Sequence, residues 1–349
     1  MAKKRQKNDS NLWDQPGLFD IFDDPADRLP VHPSIKDFVV ITPEQNETSR
    51  PQTKTSSPVA ELKIKDTNPK DDAILFMSFG SGSSGNCAFI GNISSGGFLL
   101  DAGVDCKTVE ESLLRIGVTM DRVRGICLTH DHSDHVRFIY GFVRRNPHMK
   151  IFCTNRVLAG ILRRHNISRR IKDYHKPVFK EFPFTIDALP GFEITAFDVP
   201  HDGSDNCGFF ITYGNNAFTV ATDLGEINDR VDYYARKAHY VMIESNYDFN
   251  MLRQGSYPAY LKARIAAANG HLDNEMTASF ISSILSDRLS SVFLCHLSQD
   301  NNKPEIALAA INDALAANDA ITAGRITAPE IIILPRYESS RLFTLRIKN

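Results

Sequence analysis

The chain predicts a layered α/β fold in which sheets are covered by helices, and three observations carry that prediction. Short apolar runs recur along most of its length, each stopped by Gly, Asn, Asp or His. Helical segments with polar residues at their starts stand between several of these runs. The apolar fraction, 42% of 349 residues, is enough for a sizeable buried core.

Residues 1–70 stand apart from this pattern. They carry Pro, Asp, Ser, Thr and Lys without sustained periodicity, and the stretch from Thr48 to Pro58 cannot bury enough surface to offset the entropy of ordering it. The reading is a largely disordered N-terminal extension, 1–70, ahead of a folded domain, 71–349. From Ala73 onward, strands are predicted over 74–78, 88–90, 98–100, 124–128, 151–153, 192–198, 208–213, 217–221, 240–243, 291–294 and 331–334. Helices are predicted over 108–116, 135–144, 154–164, 230–237, 257–269, 274–285 and 303–316. Strands that precede and follow helices favour a layered arrangement, and no internal repeat is present.

The formal net charge is −2 and the isoelectric point near 6.6, so nothing global advertises nucleic acid and any such binding must come from a local basic patch. The basic start Met1-Ala2-Lys3-Lys4-Arg5-Gln6-Lys7 is followed by no apolar run, which argues against a signal peptide or a membrane span and for a cytoplasmic protein. The six cysteines form no C-x-x-C pair and mostly lie in apolar segments, as reduced core thiols do.

The strongest chemical signal is His130-Asp131-His132-Ser133-Asp134-His135, an H-x-H-x-D-H pattern directly after the apolar run that begins at Val123. Histidines two apart point the same way where a strand runs into a loop, so His130 and His132 can grip one metal ion while Asp134 and His135 begin a second cluster. A lone histidine is most often an ordinary surface or core residue; three with an aspartate at fixed offsets are a metal motif. Asp101, His201, Asp223 and His296 each follow an apolar strand in the same way, and strand ends along one sheet edge are where sites assemble.

The order Asp101, H-x-H-x-D-H, His201, Asp223, His296 resembles the metallo-β-lactamase superfamily from about Ala73 to the C-terminus. The resemblance implies a four-layer αββα sandwich with a dinuclear metal site. It implies His130, His132 and His201 on the first metal, Asp134, His135 and His296 on the second, Asp223 bridging, and Asp101 orienting ligands from behind. Further segments, Phe79 to Cys87, Glu244 to Asp248, Ala267 to Glu275 and His296 to Asn302, resemble the WalJ/YycJ/VicX branch. That likeness implies a bacterial cytoplasmic exonuclease acting on DNA in the 5′ to 3′ direction, with a setting in repair or replication. Two departures stand out: Tyr247 where the branch often has His, and residues 1–70 as an addition.

Two divalent ions suit a phosphodiester, because together they activate a bridging water and stabilise charge developing on phosphate. His, Asp and water accept Zn²⁺, Mn²⁺ or Fe²⁺ alike, so the residues leave the metal open. Asp134, Asp223 and His271 are the candidate catalytic groups, His271 as proton donor or phosphate ligand on the strength of the resemblance, or else an incidental member of a helix-capping loop. Ser84 and Asn86, in a Gly/Ser loop, are candidates to hold a phosphate, against the plainer reading of a β-turn. Arg163, Arg164, Arg169 and Arg170 lie in the densest basic run and can neutralise DNA phosphates or form a solvated face. In the extension, Gln15-Pro16-Gly17-Leu18-Phe19 resembles the Q-x-x-L-F peptide that docks on the bacterial sliding clamp, with Gln15, Leu18 and Phe19 as its contacts.

The expected function is a metal-dependent phosphodiesterase. The alternatives are another hydrolase of the superfamily, acting on RNA, a cyclic phosphodiester, a lactone or a thioester, and a non-catalytic regulator that keeps the fold. The regulator predicts a lost ligand, and every ligand position is filled.

Overall fold

The computed structural model describes residues 73–347, and the predicted extension 1–70 with Gln15, Leu18 and Phe19 lies outside them. Two seven-stranded sheets form the centre. In the first, β1 (Ile74–Gly80), β2 (Cys87–Asn92), β3 (Gly96–Leu100), β4 (Val123–Cys127), β5 (Lys150–Cys153) and β6 (His175–Pro177) lie in chain order. In the second, β7 (Pro183–Phe184), β8 (Phe192–Asp198), β9 (Cys207–Tyr213), β10 (Asn216–Ala221), β11 (Tyr240–Glu244), β12 (Ser291–Cys295) and β13 (Glu330–Ile333) do the same, and β14 (Phe343–Leu345) returns to pair with β1.

Period-two alternation decides which face each side chain covers. Phe76, Ile90, Phe209, Phe218, Met242 and Phe293 point between the sheets and form one core. Their neighbours Leu75, Met77 and Phe89 point outward beneath α1 (Cys106–Arg115), α2 (Ser133–Val136), α3 (Ile139–Arg145) and α4 (Asn155–Arg164). Val241, Ile243, Val292 and Leu294 do so on the other side. They lie beneath α5 (Asp229–Lys237), α8 (Asn274–Ser283) and α9 (Pro304–Ala316). The short α6 (Phe249–Gln254) and α7 (Ala259–Ile265) fall between α5 and α8, and α10 (Asp319–Thr322) follows α9. The result is a helix–sheet–sheet–helix sandwich whose central strands, covered on both faces, read as nearly continuous apolar runs.

Each predicted strand overlaps an observed one. The strands the sequence did not signal, β6, β7 and β14, are two or three residues long, too short for periodicity, and exist because a longer neighbour offers hydrogen bonds. The predicted helix 135–144 is two helices. Ala102 donates its N–H to His135 O at 2.7 Å and accepts the Phe138 N–H at 2.9 Å, so a loop from another strand takes the bonds that would have joined α2 to α3. The predicted helix 257–269 shortens to α7, because Gly270 and His271 fold back on Ala267 O and Ile265 O.

The two sheets meet at Phe76, which is fully buried and meets Phe218, Phe293 and Phe343 with ring centroids 5.1, 4.9 and 6.0 Å away. Phe76→Ala is expected to lower unfolding free energy by about 3–5 kcal/mol in urea denaturation, the cost of a large aromatic lost from a packed core.

Candidate metal centre

Asp101, Asp223 and His296 are placed at or just past the ends of β3, β10 and β12, and all three have left-handed backbones, with φ of 60°, 50° and 53°. Such conformations outside glycine mark sites where geometry matters more than local comfort. The motif loop enters the same edge from β4. Gly103 lets it come close: a Cβ there would stand 1.5 Å from Asp134 O.

The histidines are oriented from behind. His135 Nδ1 lies 2.8 Å from Asp101 Oδ2, His130 Nδ1 3.0 Å from Thr129 Oγ1, and Asp101 also accepts from the Thr129 N–H and hydroxyl. His201 Nδ1 donates to Gly270 O at 3.0 Å. His296 Nδ1 and His271 Nδ1 each stand 2.7 Å from Glu244 Oε1. With Nδ1 held in each case, Nε2 is the nitrogen left to face the centre.

These nitrogens and the carboxylates converge. His130, His132 and His201 form one set of donors, Asp134, His135 and His296 a second, and His130, His135 and Asp223 a third that shares members with both; within each set the donor atoms lie within 4.8 Å of one another. Asp223, Glu244, His271 and His296 make a further such set. His130 Nε2, His296 Nε2 and Asp223 Oδ2 are enclosed and make no hydrogen bond in the protein. Enclosed donor atoms left unpaired at one point are the mark of a cation site, and nitrogen with carboxylate oxygen and no thiolate fits Zn²⁺, Mn²⁺ or Fe²⁺.

The electrostatics agree. Burial and the neighbouring imidazoles lower His130, and burial together with His271 brings His201 down to about 4, so both present a neutral lone pair at neutral pH. Burial opposes charge on His135 and His296 as well, yet Asp223 with Asp134 and Asp101 on the first, and Asp223 with Asp134 and Glu244 on the second, raise them well above the usual range. The carboxylates thus call for positive charge, which a divalent ion supplies.

Three residues that sequence reasoning passed over belong to this surround. Glu244 ends β11 as the others end their strands and is fully buried, but a glutamate at a strand end has no offset pattern to reveal it. Asp131, inside the motif, turns away from the centre and accepts from Ser204 N–H and hydroxyl at 2.8 and 2.7 Å and from Arg164 at 3.3 Å. Asp202 stands 3.2 Å from His132 Nε2 and receives Arg264 through Nε and Nη2. Burial works against its charge, but His132, His201 and Arg264 outweigh it and hold the carboxyl well below its usual range.

The remaining predicted residues divide. Asn86 is buried, with Nδ2 3.0 Å from Asp134 Oδ2 and 2.9 Å from His135 Nε2, so it braces the ligand set, while Ser84 is exposed on the adjoining loop. His271 is partly exposed, its ring 5.1 Å from that of His201 and 5.3 Å from that of His296. Arg163 reaches Ser204 Oγ at 3.0 Å and Arg164 reaches Asp131, which ties both to the loops that carry His130, His132 and His201. Arg169 and Arg170 are exposed, and Arg170 pairs with Asp173 at 3.8 Å.

Residues 97–292 match the model of the beta-lactamase superfamily domain, and the chain belongs to that superfamily. It is a metal-dependent hydrolase of this class. Among curated proteins it is similar to the exodeoxyribonuclease YycJ of Bacillus anthracis, 29% identical over 69% of this chain and 88% of that one. It is also similar to the exodeoxyribonuclease WalJ of Streptococcus pneumoniae, 30% identical over 68% of this chain and 87% of that one. Among solved structures, the metallo-beta-lactamase fold protein YhfI of Bacillus subtilis superposes with a TM-score of 0.54 at 14% identity, over 78% of this chain and 99% of that one. Among the described residues no helix is long and apolar enough to cross a membrane.

Glu244→Gln keeps the shape of the side chain and removes its charge. Affinity for Zn²⁺ or Mn²⁺, read by calorimetric titration of the apoprotein, is expected to fall by roughly 10–100-fold while the melting temperature stays within a few degrees.

Proposed function

We propose that this chain is a two-metal exodeoxyribonuclease that shortens DNA from its 5′ end in the cytoplasm of a bacterium, in the service of repair or replication. The observation that carries the reading is the overlap of the donor sets, with His130, His135 and Asp223 common ground between His130–His132–His201 and Asp134–His135–His296. An overlapping pair of sets fits two neighbouring ions better than one. The names of the two curated relatives supply the DNA substrate.

In this reading His130, His132 and His201 hold the first ion, Asp134, His135 and His296 the second, and Asp223 is shared. Bound ions would supply Lewis-acid stabilisation of phosphate charge and lower the pKa of a water toward about 7. The protein's own part is orientation and proton handling. Asp101 and Glu244 fix the imidazoles from behind, so little reorganisation is needed when phosphate charge develops. His271, held at Nδ1 by Glu244 and partly open to solvent, keeps Nε2 for proton transfer to the departing 3′ oxygen. Ser84 borders the approach, and Arg163 and Arg164 offer positive charge beside it, with Arg169 and Arg170 further along the basic run. Gln15, Leu18 and Phe19 would tether the enzyme to the sliding clamp.

Degradation of 5′-phosphorylated duplex is to be compared with single strands, RNA and a simple thioester. Asp134→Ala and His135→Ala should each cost more than the roughly 100-fold of an outer partner; undiminished nuclease activity in either sinks the proposal. His271→Ala should lower kcat by about 10²–10⁴-fold with a much smaller change in KM, as loss of a proton donor does. For the tether, clamp binding unchanged by Leu18→Ala with Phe19→Ala removes it.

A further inference from the structure

We propose that the open edge of the sandwich, lined by none of the residues of the metal centre, carries a second binding site for a phosphorylated compound with a planar ring, of nucleotide size. Among the described residues β6 and β7 are the last strands of their sheets, and they belong to different sheets, so no described strand joins the two layers there. The gap holds a cavity of about 460 Å³, within the size range of small-ligand sites. Arg124 and Lys150, near the starts of the parallel strands β4 and β5, line it. Five residues of chain lie between Arg124 and His130, and none of the donors of the metal centre lines this cavity, so it is not the metal centre's own pocket.

The lining is chemically lopsided. Arg124, Lys150, Lys176 and His148 contribute cationic or cation-forming groups, against the single carboxylate of Asp187. Arg124 Nε is enclosed and makes no hydrogen bond within the protein. Phosphate is an anion that both arginine and lysine bind. Behind the cations lies an aromatic wall: Phe152 and Phe184, one from each sheet, stack with centroids 5.5 Å apart and planes 13° from parallel. Gly125 makes room for it, since a Cβ there would stand 2.7 Å from Phe152 Cε2. Lys150 and Phe152 are two apart on β5 and share a face, with the Lys150 ammonium 5.8 Å from the centre of the Tyr174 ring. A planar ring fits against the aromatic wall, its phosphate meets the cations, and Asp187 offers an acceptor for an N–H or O–H of the ligand. The site stands on its own residues and does not depend on what the metal centre cuts.

The test is calorimetric titration of the full chain, in excess EDTA, with deoxyadenosine monophosphate, inorganic phosphate and deoxyadenosine. The nucleotide is expected to bind at one site, equally in wild type and in Asp134→Ala, with phosphate and the nucleoside each weaker by about tenfold or more. Lys150→Glu with Lys176→Glu should weaken nucleotide binding by a similar factor. Phe184→Ala should weaken the nucleotide and leave phosphate unchanged. No nucleotide binding, binding indifferent to charge reversal, or binding lost in Asp134→Ala overturns the proposal, as does phosphate binding as tightly as the nucleotide. A single-stranded oligonucleotide bound through Lys150 more than tenfold tighter than the mononucleotide overturns it in favour of a polymer path. If the double variant melts early, Lys176→Glu alone, at an exposed position, replaces it: weaker nucleotide binding supports the site and unchanged binding overturns it.

Discussion

Four carboxylates, Asp101, Asp134, Asp223 and Glu244, meet at one edge of this sandwich with little or no access to water, and the rest of the centre answers to that fact. Anions out of water repel one another and lose hydration, an arrangement that stands only with positive charge among them. The imidazoles set between them meet part of the demand, since those carboxylates raise His135 and His296 well above the usual histidine range. Asp101 and Glu244, behind the imidazoles, set which nitrogen faces inward, and Asp134 and Asp223 face the centre themselves.

The two sheets matter because each brings half of this charge. Asp101 and the motif loop come from the first sheet, Asp223, Glu244 and His296 from the second, and the halves are stitched together by single bonds such as His296 N–H to Ser81 Oγ at 3.0 Å. The aromatic core around Phe76 holds the layers at a fixed separation, so packing far from the edge sets distances at it.

Much of this was legible in the chain. Strands buried on both faces announce themselves as apolar runs, and histidines at fixed offsets after such runs are rare enough to notice. The structure gathers His130, His132, Asp134, His135, His201, Asp223 and His296 because each sits a short way past a strand, and strands of a sheet end together. What the chain hid was set by contacts between distant segments. The break between α2 and α3 is made by Ala102, Glu244 matters through two histidines that follow it by many residues, and Asp131 looks like a ligand yet is held away from the centre, buried, by Ser204 and Arg164. No periodicity encodes such meetings.

The left-handed backbones of Asp101, Asp223 and His296 carry a consequence for how this protein can change. Glycine adopts that conformation without penalty and asparagine with little, so either would relax the chain where the present residues hold it taut. Selection for robustness alone would therefore drift these three positions toward residues that bind metal poorly or not at all. Aspartate and histidine at these points are a standing compromise between durability and chemistry, and a stabilised descendant that had lost its activity would be expected to show the loss at these strand ends first.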